Sequence, residues 1–280
     1  MEVLRCAQND CCVVSPFRVI QHIARNTLIN GIVKKKRQHF EENKTFKHLF
    51  QPSYHEVRDG YELKGKWNSW FMNDNPIVIE LGCGKGEYTV GLARKYPEKN
   101  FIGLDLKGAR LWRGGKTVQE EKIPNVAFLR SAGEFLEYIF APGEISEIWI
   151  TFPEPHPQKA KSKKRFTSPQ FNQRFKNILR KDGIIHLKTD DRPFFDFTLE
   201  TIADEHHQLL VKYDNLYAEN PDEEVKEIQT YYEGMWLREG RTIMYLRYQL
   251  NPTFFEGPYE ITTDINTPNY HRQKEDQDGA

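Results

Sequence analysis

The feature that most constrains the fold is a regular alternation of short β-branched segments with helical patterns, which begins at Pro76. Such alternation is typical of a parallel sheet whose strands are joined by crossover helices. The predicted strands are 76–81, 100–106, 125–130, 146–151 and 183–189, and the predicted helices are 86–96, 107–122, 133–140, 168–180 and 191–205. Residues 206–217 and 241–250 predict two further strands, joined by an acidic segment at 218–230. The sequence therefore predicts an α/β, Rossmann-like domain with a central, mostly parallel seven-stranded sheet and helices on both faces.

Local signals support two of these boundaries. Ser168 can cap the helix that follows it, and Pro169 suits the first helical position. Asp182 and Gly183 predict the turn into the next strand.

The pattern shows no boundary between residues 76 and 250, which predicts one domain over that range. Residues 31–75 are rich in lysine and then in aromatic residues, and we expect an N-terminal appendage packed on the domain. Residues 1–30 are predicted to be a disordered N-terminal extension, and residues 251–280 a flexible C-terminal tail.

Composition excludes several classes of protein. The 40 basic and 40 acidic side chains give a net charge of zero, so affinity for a polyanion must come from a local patch. No apolar run is long enough to span a membrane, and no secretory signal is visible, which predicts a cytoplasmic protein. The spacing of Cys6, Cys11, Cys12 and Cys83 indicates neither a disulfide framework nor a metal site.

A glycine-rich loop, ELGCGKGE at residues 80–87, follows the first predicted strand and precedes a helix. Gly82, Gly84 and Gly86 allow a sharp turn and a close approach to a ligand. Asp105 ends the second strand, 19 residues after Gly86, where a ribose-binding carboxylate belongs. The alternative is a structural turn beside a surface aspartate.

The spacing of the glycines helps to distinguish a loop that binds a dinucleotide from one that binds S-adenosylmethionine. A dinucleotide loop reads G-x-G-x-x-G, whereas this loop reads G-x-G-x-G with Glu80 beside it. A carboxylate there would repel a pyrophosphate but suits S-adenosylmethionine, whose amino group and sulfonium are positively charged. The loop therefore favours S-adenosylmethionine, and a nicotinamide-dependent oxidoreductase is the alternative.

Three motifs carry a resemblance to a known family. IWITFPEPHPQKAKSKKRFTSPQF (148–171) is similar to the FPDPWPKKRHxKRR signature of the bacterial tRNA (guanine-N7)-methyltransferases. HLKTD (186–190) and TYYEGMWLREGRTIMYL (230–246) follow in the same order. The resemblance implies a class I methyltransferase fold, S-adenosylmethionine as methyl donor, and tRNA as partner, with guanosine 46 of the variable loop as target. We expect no membrane association, since no apolar run is long enough, and no obligate protein partner is evident.

The resemblance also implies roles for individual residues. Together with the glycine loop, the predicted cofactor-binding residues are Glu80, Gly82, Gly84, Gly86, Asp105, Ser131 and Glu154, and Glu154 is also the predicted catalytic residue. The predicted substrate-binding residues are Gln158, Lys159, Lys161, Lys163, Lys164, Arg165, Asp190, Thr230, Tyr232 and Glu233.

The implied chemistry suits these residues. Guanine N7 already carries a free lone pair, so the enzyme mainly aligns it with the methyl group. A carboxylate fixed between prolines can stabilise the cationic product, and the cations that follow it can hold RNA phosphates.

The sequence departs from the family pattern at four positions. Glu154 replaces an aspartate, His156 a tryptophan, Gln158 a lysine, and Ser131 an aspartate. A catalytically weak tRNA-binding homologue is therefore a second alternative. We interpret His156 as a replacement for tryptophan in shape, not as a general base.

Several side chains also have a purely structural interpretation. Trp149, Phe152 and Trp236 are interpreted as core residues. The basic strip, and a second cluster at 34–37, could be ordinary solvated segments.

Overall fold

The structure is a computed structural model that describes residues 37–219, 224–259 and 261. Our expectations for residues 1–30, for the lysines at 34–36, for three of the four cysteines and for most of the tail lie outside the described residues. Among the described residues, no helix has the length and apolar character needed to cross a bilayer.

In the part of the chain that the structure describes, eight strands form one sheet in the order β1-β4-β3-β2-β5-β6-β8-β7. The strands are β1 (Leu49–Phe50), β2 (Ile77–Leu81), β3 (Asn100–Asp105), β4 (Val126–Arg130), β5 (Ile145–Thr151), β6 (Leu179–Thr189), β7 (Gln208–Tyr213) and β8 (Met244–Gln249). Strand β8 runs antiparallel to both β6 and β7, and the other pairs are parallel.

Helices lie between most of the strands. Residues 37–43 are helical, and the α-helices that follow them in the described ranges are α1 (Tyr54–Arg58), α2 (Trp67–Phe71), α3 (Glu87–Lys95), α4 (Gly108–Glu121), α5 (Leu136–Ile139), α6 (Pro169–Lys176), α7 (Arg192–Asp204), α8 (Leu216–Glu219) and α9 (Tyr231–Arg238). The 3-10 helices among the described residues cover Gly133–Phe135, Lys159–Lys164, Glu224–Lys226 and Pro252–Glu256. Apolar clusters pack on both faces of the sheet, which is why every residue of β2 is buried.

The predicted α/β, Rossmann-like fold is confirmed, but the count of seven strands is one short. Strand β1 comes from the segment that we expected to be an appendage, and Leu49 pairs with Phe128 of β4. Two residues are too few to produce an alternating pattern, so the sequence gives no signal for this strand. Part of the N-terminal segment thus belongs to the sheet itself.

The ends of several elements also differ from the prediction. The helix expected at 133–140 is a 3-10 turn followed by α5, and the strand expected at 206–217 stops at Tyr213. Strand β6 begins at Leu179, so the turn expected at Asp182 and Gly183 lies within a strand of irregular register. The cap at Ser168 is confirmed, because its side chain accepts from the backbone N–H of Phe171.

Helix α9 has no counterpart in the sequence prediction. The Thr230 side chain accepts a hydrogen bond of 3.2 Å from the backbone N–H of Glu233 and so caps the helix. A threonine followed three residues later by a glutamate is a known signature of a helix start. That spacing could have revealed α9.

The order of the strands determines where a ligand can bind. Strands β2 and β5 are neighbours, and the chain continues outward from them in opposite directions across the sheet. In open α/β sheets, ligands bind beyond the carboxyl ends of the strands at such a switch point.

Candidate active site

A cavity of about 360 Å³ lies beyond the carboxyl ends of the central strands. Gly82 and Ser131 line it directly after β2 and β4, Asp105 lines it as the last residue of β3, and Glu154 lines it after β5. Lys164 lines it from the 3-10 helix over 159–164. The structure therefore brings together five of the predicted site residues, which come from distant parts of the sequence.

The glycine loop has the backbone geometry that the sequence predicts. Gly82, Gly84 and Gly86 have φ angles of 72°, 58° and 73°, in the left-handed region that favours glycine. A Cβ at Gly86 would also lie 2.5 Å from the ring of Phe128, so this residue has no room for a side chain. Helix α3 begins directly after it.

Asp105 is fixed at the wall of the cavity by two backbone groups. Its Oδ2 accepts from the N–H of Gly84 at 3.0 Å, and its Oδ1 accepts from the N–H of Lys107 at 2.7 Å. Burial raises the pKa of this carboxyl, and the two hydrogen bonds oppose that shift. A carboxylate has further lone pairs, so Asp105 can still accept from the hydroxyls of a ligand.

Glu80 is placed differently from Asp105. It is only 3% exposed, and its two carboxylate oxygens accept from the hydroxyls of Thr89 and Thr151. Burial raises the pKa of the Glu80 carboxyl. Glu80, which was predicted to bind the cofactor, is not among the residues that line the cavity. It lies beneath the cavity wall.

The proline-rich segment after β5 holds an acid at the mouth of the cavity. The Glu154 side chain is 81% exposed, and its Oε1 lies 3.7 Å from Nδ1 of His156. Phe152 and His156 have φ angles of 48° and 45°, which are uncommon for residues with a side chain. Neither Phe152 nor His156 was predicted to line the cavity, and both do.

Arg165 braces this segment. Its guanidinium donates to the carbonyl oxygens of Pro155 at 3.1 Å and His156 at 3.2 Å. The guanidinium also lies over the ring of Phe197, 4.3 Å from the ring centroid. Arg165, predicted to contact RNA, is therefore engaged with the chain itself.

The remaining basic residues of the strip face solvent. Lys159, Lys161 and Lys163 are exposed on the 3-10 helix, and Gln158 directly precedes it. Lys164 adds a positive charge at the cavity, as do Lys107 and Arg110, for which the sequence motifs predict no role.

The predicted guanosine-binding residues lie on two elements. Asp190, after β6, forms an ion pair of 3.0 Å with Arg241. Thr230 caps α9, and the Tyr232 side chain is half exposed in its first turn.

Glu233 belongs to a buried ion pair. Its Oε1 lies 2.7 Å from Nζ of Lys188, both side chains are fully buried, and the hydroxyl of Tyr217 donates to the same oxygen at 2.9 Å. The Lys188 Nζ also donates to the carbonyl oxygens of Val225 and Ile228, at 3.0 and 3.2 Å. Burial raises the pKa of Glu233 and lowers that of Lys188, and their attraction opposes both shifts.

Sequence reasoning missed Lys188 because its role depends on a segment far along the chain. The signal available was a lysine within the apolar strand GIIHLKT, where an unpaired charge is costly to bury.

Across the described part of the chain, no group of three or more His, Cys, Asp or Glu side chains is arranged to hold a metal ion. Cys83 is buried and free, and burial raises the pKa of its thiol.

The fold and the cavity define a class of protein. The solved structure of a 16S rRNA methyltransferase is similar, with a TM-score of 0.53 over 67% of this chain and 94% of that chain. The two sequences are 14% identical, so the similarity concerns the fold alone. The chain has the Rossmann-like fold of the class I methyltransferases.

Sequence comparisons identify the family. A family model described as "Putative methyltransferase" matches residues 74–246. A tRNA (guanine-N(7)-)-methyltransferase of Christiangramia forsetii is 51% identical over 220 residues, which are 78% of this chain and 98% of that protein. One of Bacteroides thetaiotaomicron is 44% identical over 78% of this chain and 86% of that protein. The chain belongs to the tRNA (guanine-N7)-methyltransferase family.

Proposed function

We propose that this protein transfers a methyl group from S-adenosylmethionine to N7 of a guanosine in tRNA, at position 46 of the variable loop. The observation that carries the proposal is the 51% identity to a tRNA (guanine-N(7)-)-methyltransferase over nearly its whole length. Family membership sets aside the alternative of a nicotinamide-dependent oxidoreductase. A tRNA substrate is consistent with a cytoplasmic enzyme.

The residues at the cavity fit S-adenosylmethionine. Asp105 presents a buried carboxylate suited to ribose hydroxyls, and Gly82 and Ser131 line the same wall. When bound, this cofactor supplies a methyl group activated by a sulfonium. The acids Glu134 and Glu154 at the cavity suit its positive charges.

The chain then has two tasks, alignment and charge stabilisation. Guanine N7 needs no general base, since its lone pair is free. Glu154, at the mouth of the cavity, is suited to stabilise the positive charge that develops on the base. Arg165 contributes by holding the carbonyl groups of the two residues after Glu154, which limits the movement of that side chain.

We assign RNA binding to two groups of side chains, one that contacts phosphates and one that contacts the guanine. Lys159, Lys161 and Lys163 are exposed cations suited to phosphates, and Asp190 is suited to the N–H groups of the guanine. Glu233 is fully buried with Lys188, so we propose that it positions α9 and does not contact the base. Thr230 has the same kind of role, because it caps that helix.

The test is methyl transfer to an unmodified tRNA transcript, followed by identification of the modified base. We expect 7-methylguanosine at position 46. A transcript with adenosine at that position is the control and is expected to receive no methyl group there. A product other than 7-methylguanosine from the parent protein would refute the proposal.

Glu154 variants test the mechanism and the alternative of a weak homologue. We expect Glu154→Ala to lower kcat by about 100-fold, the usual scale for one stabilising group, and Glu154→Asp to retain or improve the rate. Binding of tRNA and cofactor without methylation by the parent would instead support the weak homologue. An alanine variant as active as the parent would show that Glu154 has no catalytic role.

A further inference from the structure

Four aromatic side chains form a continuous row between the cavity and the protein surface. We call this row the aromatic ridge; it consists of Phe152, Trp236, Tyr232 and Tyr231. The ring centroids of Phe152 and Trp236 are 4.8 Å apart, those of Trp236 and Tyr232 are 5.9 Å apart, and those of Tyr232 and Tyr231 are 5.7 Å apart. These distances are within the range of aromatic contacts, so the ridge is one connected surface.

The two ends of the ridge lie in different environments. Phe152 lines the cavity beside Glu154, whereas Tyr231 and Tyr232 are 61% and 50% exposed. Large apolar side chains are normally removed from water, and two adjacent exposed tyrosines in one helical turn form a local apolar surface. The ridge thus leads from the predicted site of methyl transfer to solvent.

Contacts with neighbouring elements hold the exposed end in place. The backbone N–H of Tyr231 donates to Oε2 of Glu87 on α3 at 2.8 Å. The ammonium of Lys85, in the glycine loop, lies 5.5 Å from the centroid of the Tyr231 ring. At the other end of α9, the guanidinium of Arg241 lies 5.8 Å from the centroid of the Trp236 ring. Two cations therefore flank the ridge, of which Arg241 is paired with Asp190 and Glu239.

We propose that Tyr231 and Tyr232 form a stacking surface for an unpaired base adjacent to the target guanosine, and that Phe152 and Trp236 support this surface. The proposal rests on the proposed function, since it assumes that an RNA guanosine enters the cavity. It revises the interpretation of Phe152 and Trp236 as core residues alone, because both are only half buried.

The chemistry of the ridge favours a nucleobase as its occupant. Every base has a π-face that can stack on an aromatic ring, and the ammonium of Lys85 beside the Tyr231 ring suits an adjoining phosphate. Glu87 also faces the ridge, but one of its oxygens is engaged by the backbone of Tyr231. A base next to the target must be unstacked from its neighbour when the guanosine enters the cavity, and the ridge can replace the missing stacking partner.

The test compares Tyr231→Leu with Tyr231→Phe. Leucine keeps an apolar side chain but has no π-face, whereas phenylalanine keeps the ring. We expect Tyr231→Leu to raise KM for tRNA by about 5- to 140-fold, the range for removal of one base–aromatic stack, with KM for S-adenosylmethionine unchanged. Tyr231→Phe is expected to match the parent. Leu210→Ala, which shortens an exposed side chain on β7, is the control for a general decrease in apolar surface.

A second readout observes stacking directly. Transcripts carry 2-aminopurine on the 5′ or the 3′ side of the target guanosine, and its fluorescence reports whether the base is stacked. We expect binding to the parent or to Tyr231→Phe to change the fluorescence of one of the two transcripts. In the complex with Tyr231→Leu, we expect the 2-aminopurine of that transcript to remain unstacked.

If the parent methylates tRNA and Tyr231→Leu binds and methylates as the parent does, the stacking surface is refuted and the proposed function stands. If Tyr231→Phe is as impaired as Tyr231→Leu, the ring is not the recognised group and the proposal is also wrong. If the parent makes no 7-methylguanosine, the proposed function fails and this inference fails with it.

Discussion

Three carboxylates at or near the cavity differ greatly in their exposure to solvent. Glu154 is largely exposed at the mouth of the cavity, whereas Glu80 is buried and accepts from two threonine hydroxyls. Asp105 lies between these extremes, buried but at the cavity wall. Because solvation and hydrogen bonding determine the proton affinity of a carboxyl, these residues are suited to different tasks.

The buried position of Glu80 leads to a prediction about pH. Burial raises its pKa above the ordinary value of 4.5, so the folded protein binds this proton more tightly than the unfolded chain. Its contribution to stability is full below pH 4.5 and is lost as the pH rises through the folded pKa. Glutamine cannot ionise and can still bond both threonine hydroxyls. We expect Glu80→Gln to gain stability relative to the parent as the pH rises above 4.5, measured by urea unfolding over a series of pH values.

Glu98→Gln is the matched control for Glu80→Gln, since Glu98 is exposed on the loop after α3. It should leave the free energy of unfolding close to that of the parent. If the advantage of Glu80→Gln is the same at every pH, or is greater at low pH, then the carboxyl is not destabilised by burial.

Among the elements, β6 and α9 are joined by charge as well as by packing. Lys188 on β6 contacts Glu233 and two carbonyl oxygens of the preceding segment, at 225 and 228. This single ammonium therefore fixes the approach to α9 and the helix itself. The position of the aromatic ridge depends on that contact.

Removing one member of the Lys188–Glu233 pair should lower the free energy of unfolding more than replacing both members with apolar residues. We expect Lys188→Met to lower the free energy of unfolding by about 3 to 5 kcal/mol, because Glu233 is left buried without its cation. The double variant Lys188→Met, Glu233→Leu is expected to recover most of that decrease. Urea unfolding of the parent, both single variants and the double variant measures the coupling.

Additive effects of the two substitutions would contradict a coupled pair. A substitution of Glu233 also tests whether this residue has only a structural role. If Glu233→Gln lowers kcat but leaves stability unchanged, then the role of Glu233 is not structural alone.

At the scale of the whole molecule, net charge cannot attract tRNA. Basic and acidic side chains balance at 40 each, so long-range attraction must come from local clusters. The exposed lysines on the 3-10 helix at 159–164 form such a cluster beside the cavity.

Charge removal from this cluster should change the salt dependence of binding. We expect the double variant Lys159→Gln, Lys161→Gln to weaken tRNA binding and to reduce the slope of log K against log salt. The expected reduction is about 0.7 to 0.9 for each phosphate that is no longer neutralised, measured by titration at several salt concentrations. Lys66→Gln, Lys181→Gln is the control, because both lysines are exposed and lie outside the cluster. Equal slopes for all three proteins would rule out phosphate binding by the lysines at 159 and 161.

Much of the central fold could be predicted because its signals are local. The β-branched runs, the cap at Ser168 with Pro169 at the first helical position, and the left-handed glycines of the loop each depend on a few neighbouring residues. The boundaries of β6 and the existence of α9 were not predicted. In both cases weaker local signals compete with tertiary contacts.

Some features of the candidate site could likewise be predicted from the sequence, and others could not. The sequence by itself determined the family, the glycine loop, the carboxylate at Asp105 and the proline-braced acid at Glu154, because these are short motifs with fixed spacing. Only the tertiary structure decided that Glu80 and Glu233 are buried, that Arg165 braces a loop and that four aromatic rings form a ridge. Burial and pairing depend on residues far apart in the chain, as Lys188 and Glu233 are, and no local pattern records which distant side chains will meet.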